Sequence, residues 1–390
     1  MQRVKSARRT HQLPAYPFAR WNEEIAKARQ AGRDIIRLDI GNPDLPPPEP
    51  VVDALCRGVR RADGHGYAGY RGILALRQAM ADHYAARFDV QLDPAREVVP
   101  LIGSKEGLVL LSLALLDPGD LVLLPDPGYA PYTRGARLAE AETYALPLRA
   151  ERGFLPDLAA VPDEVADRAT LLWLNYPNNP TGAIADRAFF REAVDFARAH
   201  GLLLCHDAPY SDVTYGGYVA PSVLQIAGAR EVAVEFNSLS KMYNMAGWRV
   251  GMVVGNAEVL AMLAQLKSNL DSGHFRPIQE AAAAALRTDP AWIAQRNAIY
   301  AERLALLHEA LTAVGFDVPK PRATLYLWAP IPADATSEAL ARDLLYATGV
   351  AVAPGTFFGP GGEGYLRFSI TAPTPQVREA AARLRAYFQS

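Results

Sequence analysis

From about residue 95 to 255, short apolar runs alternate with longer amphipathic stretches, and this alternation constrains the fold more than any other feature. Val98–Ile102, Leu121–Leu124, Leu171–Leu174, Leu202–Cys205, Val232–Phe236 and Val250–Val254 read as strands. Each is apolar almost throughout instead of alternating with polar residues, so both of its faces must be buried. The stretches between them, such as Glu106–Leu116 and Arg187–His200, carry helical periodicity. Strands separated by helices argue for an α/β chain with a mainly parallel sheet covered by helices on both faces. Sheets of that kind bind ligands beyond the carboxyl ends of their strands, so chemistry is expected there.

After about residue 290 the pattern changes. A long helix over Trp292–Val314 leads to a strand at Thr324–Ala329. A helix at Ser337–Thr348, a strand at Tyr365–Ile370 and a helix from Thr374 to Tyr387 follow. This predicts a smaller α+β domain over 291–390, a large domain over 47–290, and an N-terminal arm over 1–46 that joins the small domain. Pro46–Pro50 reads as a rigid connector. No internal repeat, heptad pattern or low-complexity tract interrupts the chain.

With 390 residues, half of them hydrophobic, there is ample material for a large core. A formal net charge of -2 gives no reason to expect a nucleic-acid or membrane surface. Met1–Gln12 is basic, with Arg3, Lys5, Arg8, Arg9 and His11, but no apolar segment follows as in a secretory signal; a solvated end is expected. Leu108–Leu116 is too short to span a bilayer, which takes roughly 20 residues, and reads as a core helix. Two distant cysteines, Cys56 and Cys205, make no disulfide framework, and Cys205 sits in an apolar run as a buried free thiol would. A reducing cytoplasm is the expected compartment.

Four segments carry chemistry, each at the end of an expected strand. Ser238-Leu239-Ser240-Lys241 offers a lysine after two hydroxyls, with Arg249 downstream. Alone, Lys241 reads as surface charge. Deprotonated, it is an amine able to form a Schiff base, while serines and a bidentate arginine suit a phosphate dianion. In His206-Asp207-Ala208-Pro209-Tyr210, a carboxylate nearly inside the core needs a cationic partner, which a protonated pyridine nitrogen would supply. A helix N-cap and an ordinary core tyrosine would explain the same segment. Asn175-Tyr176-Pro177-Asn178-Asn179-Pro180-Thr181-Gly182 is a loop stiffened by proline, fit to hold a side-chain amide against a ligand or simply to turn the chain. Gly103-Ser104-Lys105-Glu106-Gly107 opens a helix with free N–H groups suited to an anion. It matches neither the nucleoside-triphosphate loop nor the dinucleotide glycine fingerprint, and a serine cap without ligand is its plain alternative. Together the four describe a phosphate cradle, a pyridinium partner, a ligand for a ring oxygen and a Schiff-base lysine.

With Asn178-Asn179-Pro180-Thr181-Gly182, Asp207 with Tyr210, Ser238-Leu239-Ser240-Lys241 and Arg249 in this order, the chain resembles the class I/II aminotransferases, fold-type I enzymes that use pyridoxal 5'-phosphate (PLP), over nearly all of its length. The resemblance implies the PLP-dependent transferase fold, with a seven-stranded sheet. It also implies that Lys241 binds PLP covalently and moves the proton between the substrate carbon and C4′ of the cofactor. By the same resemblance Asp207 pairs with the pyridine nitrogen, and Asn179 and Tyr210 hold the ring hydroxyl. Gly103, Ser104, Lys105 (mainly by backbone), Ser238, Ser240 and Arg249 hold the phosphate. Tyr129 in Asp126-Pro127-Gly128-Tyr129 matches the aromatic that stacks on the ring, and Tyr67 a tyrosine that reaches the phosphate of a neighbouring subunit, which implies a homodimer. Arg367 in Tyr365-Leu366-Arg367-Phe368-Ser369 matches the arginine that grips the substrate α-carboxylate, with the Gly41 backbone and Asn179 beside it.

Val232–Arg249 is similar to two subgroups, the LL-diaminopimelate and the alanine/glutamate–pyruvate aminotransferases, and Lys267-Ser268-Asn269-Leu270-Asp271-Ser272-Gly273 leans toward the first. Arg276 lies near the region where a distal arginine would stand but does not align with that role, and a surface arginine is the plainer reading. The implied activity is a two-step exchange of an amino group between an L-amino acid and a 2-oxo acid such as 2-oxoglutarate or pyruvate. A PLP lyase that cleaves a carbon–sulfur bond, or an idle binding protein of the same fold, would keep many of these residues. No metal site is expected.

Overall fold

The computed structural model describes residues 5–14 and 16–389. Its centre is a seven-stranded sheet: β1 Val98–Leu101, β2 Leu121–Asp126, β3 Glu142–Pro147, β4 Ala169–Asn175, β5 Leu203–Asp207, β6 Ala233–Ser238 and β7 Gly251–Gly255. In space the order is β1-β7-β6-β5-β4-β2-β3. The pairs β2–β3, β2–β4, β4–β5 and β5–β6 are parallel; β7 runs antiparallel to both β6 and β1.

The continuous apolar runs have the expected cause. Along β4, Leu171 and Trp173 enter one apolar cluster with Val122, Leu124, Cys205 and Phe236, while Leu172 and Leu174 enter another with Leu123, Leu204 and Met252. Successive side chains point to opposite faces, and both faces are covered. Edge strand β3 was not evident in the sequence: Glu142, Thr143 and Ala145 are exposed, so it lacks the apolar signal of its neighbours. The helix Ser104–Leu115 absorbs the run Leu108–Leu116, and among the described residues no helix is long and apolar enough to cross a membrane.

A second core forms around a three-stranded antiparallel sheet of β8 Tyr326–Pro330, β9 Ala353–Pro354 and β10 Tyr365–Ser369. Trp21 and Ile25 of the helix Pro17–Gln30 join it, as do Tyr300, Leu304 and Leu311 of Pro290–Ala313 and Leu384 of Thr374–Gln389. Ile36–Arg37 pairs in parallel with Val350–Ala351, which ties the N-terminal segment to this core.

Two expectations need correction. Strand β8 starts at Tyr326 rather than Thr324, because Thr324 adopts a left-handed φ of 74° that ends strand geometry. The stretch Pro46–Pro50 is not purely a connector, since the helix Glu49–Arg60 begins within it and takes Pro50 into its first turn. Residues 5–11 of the basic N-terminal stretch are exposed to solvent as expected, and Arg8–Gln12 forms a short helix whose Arg8 pairs with Glu140 at the surface. Arg3 lies outside the described residues.

Candidate active site

Three parallel strands end side by side, and each delivers a functional side chain at its carboxyl end. The register pairs Asn175 of β4 with Asp207 of β5, and β6 ends at Ser238, directly before the short helix Leu239–Met242 that carries Lys241. They open into a cavity of about 450 Å³ between the two cores. Its wall includes Ser104, Lys105, Tyr129, Asn179, Asp207, Ser238, Ser240, Lys241 and Arg249, together with Tyr210 of the second core, Gly41 and Arg367.

Asp207 is buried, and its two oxygens differ. Oδ2 accepts a hydrogen bond from the Tyr132 hydroxyl at 2.7 Å, whereas Oδ1, equally inaccessible, has no partner. Burial pushes this carboxyl up to about 6, partly offset by the Tyr132 bond and by His206. A buried carboxylate oxygen without a donor is costly, so the position is suited to a cationic N–H from a ligand. Asp207 caps no helix. Asn175 supports it, donating from Nδ2 to the Asp207 carbonyl at 2.7 Å and accepting the Asn179 N–H on Oδ1 at 2.8 Å.

Lys241 donates to the carbonyl of Gly41 across the cavity. Burial, then the Arg367 and Arg249 guanidiniums, lower its amine to about 8. That leaves an appreciable share of free amine near neutral pH, as a nucleophilic or basic lysine requires.

Ser238 and Ser240 are buried beside it, and the Ser238 hydroxyl accepts the Ser240 N–H at 3.2 Å. Gly103, not Ser104, is the N-cap of Ser104–Leu115, with φ 74°, so the Ser104 hydroxyl is free of a capping bond. The left-handed φ favours glycine at 103, and a methyl there would lie 2.1 Å from an Arg249 guanidinium nitrogen, which shows Arg249 lying against the helix N-terminus. The Arg249 backbone, at a left-handed φ of 59°, is held by His274 Nε2 on its carbonyl at 2.7 Å. Hydroxyls, a guanidinium and helix N–H groups thus converge as an anion cradle.

Arg367, within β10, is buried without a carboxylate partner among the described residues. It donates to Asn179 Oδ1 at 2.7 Å and to the Asp39 carbonyl at 2.6 Å, while its Nε has no partner. The rings of Tyr326 and Phe358 lie 4.1 and 4.5 Å from its guanidinium carbon. Tyr326 also shares a 2.9 Å hydrogen bond with Tyr210. A Cβ on Gly41 would lie 1.9 Å from the Tyr326 hydroxyl, so only glycine leaves room at this wall.

Two sequence candidates stand elsewhere. Tyr67 is 92% exposed and does not reach the cavity of its own chain. Arg276 pairs with Glu280 at 3.0 Å on the surface. Tyr132, Tyr326, Tyr16 and Phe358 were not singled out from sequence. Tyr132 had one usable signal: it lies one helical turn beyond Tyr129, on the same side of the chain.

The sequence model of the aminotransferase class I and II family matches residues 33–384. The chain belongs to the class I and II aminotransferases. It is 50% identical over 382 residues to the LL-diaminopimelate aminotransferase of Moorella thermoacetica, covering 98% of each. Among solved structures, a probable N-succinyldiaminopimelate aminotransferase from Thermus thermophilus is 42% identical, with TM-score 0.90 and coverage of 95% of this chain and 99% of that one. Substrate-bound BacF from Bacillus subtilis is 36% identical, with TM-score 0.94 and 98% coverage of each. The aminotransferase is therefore a PLP-dependent enzyme that exchanges amino groups, and neither a lyase nor an idle binding protein is favoured. Its cavity suits that cofactor: Asp207 Oδ1 lacks a cationic donor, and the anion cradle, Lys241 and the flat ring of Tyr129 line the same wall.

Proposed function

We propose that this aminotransferase acts on LL-diaminopimelate, with a 2-oxo acid as the second substrate, and that the single observation carrying the site assignment is the unpartnered Asp207 Oδ1 in the cavity that also holds Lys241. PLP, when bound, supplies an electron sink that makes the substrate Cα–H acidic. Lys241 would carry it covalently. Asp207 would keep the pyridine nitrogen protonated, and Asn179 and Tyr210 would hold the ring hydroxyl. Tyr129 would lie on the ring face, while Gly103 and Lys105 by backbone, the hydroxyls of Ser104, Ser238 and Ser240, and the Arg249 fork hold the phosphate. Arg367, already turned toward Asn179, would bind the substrate α-carboxylate next to Gly41. The amine of Lys241, once displaced by substrate, would take up the proton lost from the substrate Cα and hold it for return later in the exchange.

Charge supports a dicarboxylic substrate. The Lys105 ammonium lies 4.8 Å and the Arg134 guanidinium 4.5 Å from the Tyr16 ring at the cavity wall, and neither has an acidic partner among the described residues. The Moorella thermoacetica relative, an LL-diaminopimelate aminotransferase, acts on such a substrate.

A homodimer is the proposed assembly. Tyr67, Tyr70 and Leu270 are exposed large hydrophobics; Gly69 and Gly273 approach each other, and the His65 ring lies tilted against Phe275 with centroids 5.7 Å apart, so these segments form one surface. There Tyr67 would reach the phosphate of the other subunit. The separate apolar clusters support large and small domains divided near residues 46 and 290. The unpaired Cys56 and Cys205 accord with a cytoplasmic location.

Steady-state assays of LL-diaminopimelate, glutamate, aspartate, alanine and aromatic amino acids test the substrate. The expected result is kcat/KM for LL-diaminopimelate at least about 100-fold above alanine, the scale of two added charge-assisted hydrogen bonds. Equal values for alanine would overturn the proposed substrate while leaving the aminotransferase itself intact.

A further inference from the structure

Arg296 lies outside the cavity, yet it is buried and has no carboxylate within ion-pairing distance among the described residues. A guanidinium has five N–H donors. Here Nη1 donates to the carbonyls of Lys241, at 2.7 Å, and Met242; Nη2 donates to the Asp212 carbonyl at 2.6 Å and to Asn297 Oδ1 at 2.7 Å; and Nε donates to Asn297 Oδ1 at 3.1 Å. Asn297 Nδ2 closes the arrangement on the Asp212 carbonyl at 2.9 Å.

The carbonyls that Arg296 holds belong to two chemically important turns. Lys241 and Met242 end the short helix Leu239–Met242, where terminal carbonyls have no helical partner. Asp212 ends the turn that begins at Asp207 and contains Tyr210, whose carbonyl receives the Val213 N–H at 2.9 Å. One planar side chain therefore fixes the lysine-bearing turn against the turn of the ring-nitrogen partner. It comes from the helix Pro290–Ala313, whose Trp292 and Ile293 pack on the larger core and whose Tyr300, Leu304 and Leu311 belong to the second. Leaving a buried cation without a counter-ion is costly, and neutral carbonyls compensate it only in a geometry that engages every donor.

We propose that Arg296, oriented by Asn297, is a positioning residue that sets the backbone of Lys241 for covalent attachment and proton transfer. This rests on the reading that Lys241 carries the cofactor. Arg296 contacts neither cofactor nor substrate, so its effect should fall on steps that use the Lys241 side chain and spare those that do not.

The two cofactor forms separate these cases, because pyridoxamine phosphate binds in the same cavity without a bond to Lys241. Dissociation constants for pyridoxal phosphate and pyridoxamine phosphate are measured on full-length wild type, Arg296→Lys and Asn297→Ala. The pH midpoint of the visible lysine–cofactor absorbance is recorded on the same samples. Both variants are expected to weaken pyridoxal phosphate by about 5- to 10-fold and to shift the absorbance midpoint, while pyridoxamine phosphate affinity stays within twofold. Equal weakening of both forms, or no change in either, would overturn the proposal and leave Arg296 a packing residue. If Arg296→Lys does not fold, Asn297→Ala decides alone, since it loosens the guanidinium and keeps the arginine. Wild type that binds both forms equally and shows no lysine-dependent absorbance would instead refute the role of Lys241.

Discussion

Tyr132 donates its hydroxyl to one oxygen of Asp207 at 2.7 Å and leaves the other without a partner, so the carboxylate is anchored on one side and open on the other. Anchoring fixes the direction of Oδ1, and the open side is where a ring N–H would bind. Tyr132 is in turn stacked on Trp173, with centroids 5.1 Å apart and planes 15° from parallel. The sheet interior thus sets the orientation of the group that would tune the cofactor.

Asp207→Asn is expected to loosen pyridoxal phosphate by about 10- to 100-fold, the range of a lost hydrogen bond to a charged group. Equilibrium dialysis measures it. The same variant should make cofactor-free protein more stable above pH 6. Burial raises this carboxyl from 3.8 to about 6, so the folded state holds the proton more tightly than the unfolded state. Its stabilising contribution is full below about pH 4 and is lost as pH rises through 6, a cost of roughly 3 kcal/mol. Thermal unfolding at pH 4 and pH 8 should show the wild-type deficit only at the higher pH.

Lys241 offers a direct pH test. With its amine lowered to about 8 by burial and two arginines, it should react with an amine-selective acylating reagent in cofactor-free protein with a midpoint near pH 8. Surface lysines titrate near 10.4. Peptide mass spectrometry across pH 6–11 resolves the two populations; a Lys241 midpoint above 10 would contradict the electrostatics of the cavity.

Arg367→Lys should lower kcat/KM by about 10- to 100-fold, with the larger part in KM. Lysine keeps the charge but cannot hold Asn179, the Asp39 carbonyl and a carboxylate at once. An unchanged KM for the amino acid would remove Arg367 from the carboxylate site.

Much of this was readable in the chain. Lys241, Asp207 and Asn179 were legible as a set because each stands at or just after the end of an apolar strand, where an open parallel sheet exposes chemistry, and Arg249 follows the Ser238–Lys241 segment. Tyr132 could not be paired with Asp207 from sequence, since 75 positions separate them and only the sheet brings them together. Tyr326 and Tyr16 were hidden for the same reason, being contributed by the second core and the N-terminal segment. Strand β3 escaped notice because an exposed edge strand has no need of apolar residues. Arg296 resembles any helical surface arginine until its carbonyl partners are known.

The most direct test of the central claim is a single-turnover experiment on the holoenzyme. LL-diaminopimelate is added without any 2-oxo acid, and the lysine–cofactor absorbance is followed together with free ammonia. The account predicts loss of the band, no ammonia, and return of the band when 2-oxoglutarate is added, with none of these changes in Lys241→Ala. Stoichiometric ammonia, or a band that amino acids leave untouched, would contradict it.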